Sequence, residues 1–132
     1  MKAIAATILF FAAMATAAFA LSAAESGNAL AKACRAYMDN TANRDDPCRH
    51  FIMDYMTQFK AQQDLELEAL LKGQPRDPNA PCIRMPDFIS YGDLARLVVA
   101  RIEANAGLGQ GTAAELMQAT LVYNFRCAEP PH

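Results

Sequence analysis

Asp46-Pro47-Cys48-Arg49-His50-Phe51-Ile52-Met53-Asp54-Tyr55-Met56 carries a helix start, a cysteine and an apolar face within one short stretch. Aspartate accepts hydrogen bonds from the free N–H groups of a first helical turn, and proline at the first helical position sacrifices nothing, because its missing N–H would have no partner there. Cys48, Phe51, Ile52, Tyr55, Met56 and Phe59 then recur at spacings of three and four, which places them on one helix face. Leu65, Leu67, Leu70 and Leu71 follow the polar Gln62-Gln63-Asp64, and Gly73 with Pro75 stops the helix.

Upstream, residues 29 to 41 read as another helix, with Leu30, Cys34, Tyr37, Met38 and Thr41 on one face and Ser26 or Asn28 placed to cap it. Downstream, Pro75, Pro78 and Pro81 make Gly73 to Met85 an irregular connection, pinned near its end by Cys82. Ser90 with Asp93 forms a capping box, with Ile89 and Leu94 as its hydrophobic staple. The third helix turns Leu94, Leu97, Val98 and Ile102 inward and ends at Asn105-Ala106-Gly107. Thr112 with Glu115 opens a fourth helix through Leu116, Met117, Thr120, Leu121 and Phe125 toward Cys127. No alternating strand and no internal repeat is found. The expected fold is therefore all-α, a disulfide-stabilised bundle of about four helices.

The beginning of the chain speaks to compartment. Lys2 precedes an apolar run from Ile4 to Phe19 that closes on Ala18-Phe19-Ala20, the three parts of a secretory signal peptide. Cleavage is expected after Ala20, with Ala24 as the alternative, and residues 21–132 then form one helical domain exported to the periplasm. No cysteine follows the run directly, so a lipid anchor has no attachment point, and no membrane anchor is expected after cleavage. Without Lys2 the chain has 11 basic and 14 acidic residues, a net charge of −3, and no basic stripe that argues for nucleic acid.

Four cysteines in a small exported chain read as two disulfides. Three pairings exist. The short turn between the first two helices makes Cys34 and Cys48 neighbours, which favours Cys34–Cys48 and leaves Cys82–Cys127 to tie the connection to the last helix. Metal alternatives are weaker: Cys34, Cys48 and His50 lack a fourth ligand at zinc spacing, and Met38, Met53 and Met56 read as packing rather than a copper site. Catalysis has little support. His50 and His132 have no nucleophile partner, and Asp45, Asp46, Asp54, Asp64, Glu66 and Glu68 read as caps and solvated faces. Gly107-Leu108-Gly109-Gln110-Gly111 lacks the strand and lysine of a phosphate cradle and reads as a turn. No cofactor, metal or catalytic residue is expected.

Cys34, Cys48-Arg49-His50-Phe51-Ile52, Cys82-Ile83-Arg84-Met85-Pro86, Ile89-Ser90 through Leu94, Leu97-Val98-Val99, and Ala114-Glu115-Leu116 through Asn124-Phe125-Arg126-Cys127 occur in an order that resembles the Rap/Tai family of immunity proteins. Members of that family protect bacteria against peptidoglycan amidases delivered by type VI secretion. The resemblance spans nearly all of the chain after the apolar run. It implies an exported, mostly helical protein, often a homodimer, that binds the amidase effector and blocks its substrate cleft. Gly73 to Pro81 and Gly107 to Gly111 are the segments expected to be exposed and available for binding; no individual contact residue follows. The alternative is a periplasmic interaction or stress protein of chaperone-like character with no toxin target.

Overall fold

The computed structural model describes residues 21–22 and 25–128; the apolar run of residues 1–20 lies outside the described residues. Four α-helices follow one another: α1 Gly27–Asp39, α2 Pro47–Leu71, α3 Tyr91–Ala104 and α4 Ala113–Phe125, with a 3-10 turn at Ala106–Gln110 before α4. Among the described residues there is no strand, only isolated bridges between Ser26 and Thr112 and between Ile83 and Arg126. The chain is a small all-α bundle held by two disulfides.

The helix starts follow from side-chain caps. Asp46 accepts from the N–H of Cys48 at 2.8 Å and of Arg49 at 3.4 Å. Ser26 rather than Asn28 caps α1, accepting from the Ala29 N–H. Both capping boxes are complete: Ser90 accepts from the Asp93 N–H while Asp93 accepts from the Ser90 N–H, and Thr112 and Glu115 do the same. The Ser90 hydroxyl, then its N–H, hold the Asp93 carboxyl below the usual carboxylate range. A carboxyl lowered in the folded state stabilises at neutral pH, and that contribution is lost as pH falls through its folded value. At the far end of α2, Gly73 takes φ +79°, a conformation that strains any residue bearing a Cβ. Its N–H donates to the Leu70 carbonyl and that of Gln74 to the Ala69 carbonyl, the paired bonds of a Schellman terminus.

α1 and α3 form the most extensive helix pair, and α4 and the first turns of α2 close the remaining sides. The core is Leu30, Cys34, Tyr37, Phe51, Ile52, Leu94, Val98, Ile102, Leu116, Met117 and Leu121, with Cys48 among them. Burying each large aliphatic or aromatic side chain contributes about 1.5–3 kcal/mol. Thr120, fully buried, donates its hydroxyl to the Leu116 carbonyl at 2.8 Å, so no buried side-chain polar atom is left unpaired among the described residues. Arg49 lies over the Tyr91 ring, 5.1 Å from its centroid, fastening the start of α2 to the start of α3.

Two seams complete the bundle. Gly27 donates to the Gly111 carbonyl and Ala113 to the Glu25 carbonyl, joining the start of α1 to the start of α4. The contact is so close that a Cβ on Gly27 would run into the Leu108 carbonyl. At the other end Arg84 donates to the Phe125 carbonyl at 2.8 Å and Cys127 to the Cys82 carbonyl at 3.0 Å, beside the Cys82–Cys127 bond.

Cys34 is bonded to Cys48 with their Cα atoms 5.0 Å apart, and Cys82 to Cys127 at 5.4 Å. Their sequence separations of 14 and 45 correspond, in the chain-entropy account, to about 3 and about 4 kcal/mol. Urea unfolding of Cys34→Ala/Cys48→Ala should lose about 3 kcal/mol, and Ser90→Ala about 1 kcal/mol. An unchanged midpoint for the double variant would contradict this account.

Candidate functional site

The site is built from a mismatch of helix lengths. α1 has 13 residues and α3 has 14, but α2 has 25, so its second half runs past the ends of the helices that could cover it. Its buried residues are confined to Cys48, Phe51 and Ile52, with Tyr55, Met56 and Phe59 half-buried behind them. From Lys60 to Leu71, about 18 Å of helix, Ala69 alone is better than exposed. The leucines that follow the polar Gln62-Gln63-Asp64 are in solvent: Leu65 is 60% exposed, Leu67 57%, Leu70 47% and Leu71 81%.

The connection from Gly73 to Pro81 folds back along this projecting half. Gln63 donates its side-chain N–H to the Ile83 carbonyl at 3.2 Å, and Lys72 pairs with Glu68 at 2.9 Å one turn back. Between helix and connection lies an open groove of about 280 Å³, walled by Leu67, Ala69 and Leu70 on one side and Pro75, Ala80 and Ile83 on the other. Cys82 reaches its edge, so the disulfide to Cys127 fixes one wall against the bundle. Glu66, Arg76 and Asp77 supply a charged rim. An apolar strip with a charged rim has the chemistry of a protein-binding face.

The second expected binding segment behaves differently. Gly107 to Gly111 is largely a tight 3-10 turn, with Gly109 buried and a Cβ there running into the Asn28 side chain. Its backbone is committed to packing on α1, which the glycine spacing alone did not reveal. The remaining candidates also resolve into structural roles. Cys34 and Cys48 are joined, so neither offers a thiolate beside the half-buried His50. Asp46 is a buried cap. Met38 is exposed on α1, and Met56 packs on the core. Among the described residues no group of three or more His, Cys, Asp or Glu could hold a metal ion, and no helix is long and apolar enough to cross a membrane. His132 lies outside the described residues.

Because the projecting leucines contribute little to the core, Leu67→Gln/Leu71→Gln should leave the unfolding free energy within about 0.5 kcal/mol of the parent, whereas Leu116→Ala should lose about 2–5 kcal/mol. Similar losses for both variants would show that the end of α2 belongs to the core.

No known family, curated protein or solved structure matches the chain.

Proposed function

We propose that this chain is an exported immunity-type protein that binds a peptidoglycan amidase effector of type VI secretion and inhibits it. The observation that carries the reading is the projecting half of α2. It keeps Leu67 and Leu70 exposed along a groove whose opposite wall is anchored by a disulfide, with Leu71 exposed beyond it. Leaving such side chains in water forgoes burial energy, and a partner that covers them recovers it. The disulfides support the compartment, since such bonds persist outside the reducing cytosol. The residues resembling the Rap/Tai family supply the nature of the partner.

An inhibitor of this kind works by occupying the target's cleft, with no reaction of its own. Rigidity then matters more than chemistry, because each side chain already ordered before encounter lowers the entropy lost on binding. In this chain the Cys82–Cys127 bond ties the connecting wall to the end of α4, and the Gln63–Ile83 hydrogen bond ties it to α2, before any partner arrives.

The oxidised mature protein, added in molar excess, should abolish release of soluble peptide from peptidoglycan by the amidase effector of the same cell and should comigrate with it on sizing. Leu67→Asp/Leu70→Asp should weaken the complex about tenfold or more. Full amidase activity with no complex would contradict the reading.

A further inference from the structure

A second groove lies where the end of α3, the 3-10 turn and α4 meet. Arg101 lays its guanidinium over the Tyr123 ring, 4.1 Å from the centroid, while the tyrosine remains 71% exposed. The stack fixes the guanidinium plane and leaves its N–H edge available to a planar acceptor such as a carboxylate. Arg126 stands on the same groove, which holds about 560 Å³ and is bordered by Asn105, Gln118 and Val122. Among the described residues Arg35, Lys72 and Arg96 pair with carboxylates, but Arg101 and Arg126 do not. Glu115, also on this groove, turns an oxygen to the Thr112 N–H at 3.2 Å to complete its capping box.

A third depression lies between this groove and the apolar one and shares lining residues with each. Gln118 lines both the Arg101 groove and that depression, whose other walls include Gln63, Glu66, Arg76 and Ile83. Those four residues also line the groove beside Leu67 and Leu70. The backbone bridge between Ile83 and Arg126 ties the two ends together. One path therefore runs from exposed leucines, across Gln118, to a stacked arginine and a second arginine, in a chain whose overall charge is negative.

We propose that the Arg101–Tyr123–Arg126 groove binds an acidic segment of the protein partner, adjoining the apolar segment that covers Leu67 and Leu70. This rests on the reading of the chain as a protein-binding inhibitor and adds the chemistry of what is bound. Tyrosine and arginine are, with tryptophan, the side chains enriched among those that dominate an interface when a partner desolvates them. Arg101 and Arg126 outnumber Glu115, the one carboxylate lining this groove, so its net charge favours aspartate or glutamate over a basic segment.

The test uses two fluorescein-labelled decapeptides, alternating Gly-Glu and alternating Gly-Lys, titrated with the full oxidised protein and read by fluorescence anisotropy. The Glu peptide should bind, more weakly as salt is raised, and the Lys peptide should not. Arg101→Gln/Arg126→Gln should reduce affinity for the Glu peptide about tenfold or more, and Tyr123→Ser should reduce it with Arg126 intact. An unchanged thermal midpoint verifies that each variant is folded. No binding of the Glu peptide, equal binding of both peptides, or an undiminished double variant would overturn the proposal. This result is read without any amidase, so failure to inhibit the amidase and failure of the acidic site are separable outcomes.

Discussion

The Cys34–Cys48 bond lies at the centre of the bundle, fully excluded from solvent, and the rest of the structure depends on it. It joins the middle of α1 to the first turn of α2 and so sets where α2 begins to pack. A chain this short encloses few buried side chains, and such cores are marginal unless something else restrains the unfolded state. A cross-link inside the apolar cluster contributes both restraint and packing, since Cys34 and Cys48 share that cluster with Leu30, Ile52, Leu94 and Leu116.

Fixing the start of α2 also fixes where its support ends. The core grips the helix through Phe59, beyond which neither α1 nor α3 is long enough to follow. A free helical half of this length is marginal in water, because nucleated helices shorter than about 12–15 residues gain too little from backbone hydrogen bonds alone. Continuity with the packed half, the Schellman terminus at Gly73 and the Gln63–Ile83 hydrogen bond keep it formed. The second disulfide acts on the same feature from the other side, holding the end of the connection against the last helix. Core, projecting helix and groove are thus successive consequences of where two sulfur bridges lie.

Much of this architecture is legible in local signals. Asp46-Pro47, Ser90 with Asp93, and Thr112 with Glu115 mark helix starts because each solves a local hydrogen-bonding problem that needs no knowledge of the rest of the chain. The site is harder to read. Leu65, Leu67, Leu70 and Leu71 have helical spacing whether or not anything packs on them, and their exposure depends on the lengths of α1 and α3 rather than on α2 itself. The polar Gln62-Gln63-Asp64 was the available sign that the core face ends there. Gly107 to Gly111 is legible as a turn, but its packing on α1 is not, for a related reason: glycines that permit flexibility also permit the close backbone approach between Gly27 and Leu108. Arg101 lies on α3 and is distant in sequence from Tyr123 and Arg126 at the end of α4, so only the packing of α3 against α4 brings the three to one groove.

Hydrogen–deuterium exchange of the oxidised protein, alone and with its partner, tests the central claim most directly. Free protein should show slow exchange through α1, α3, α4 and residues 48–59, fast exchange over residues 61–72, and protection of that second stretch when the partner binds. Exchange that is uniformly slow along α2 in the free protein, or a projecting half that stays equally fast in the complex, would contradict the account.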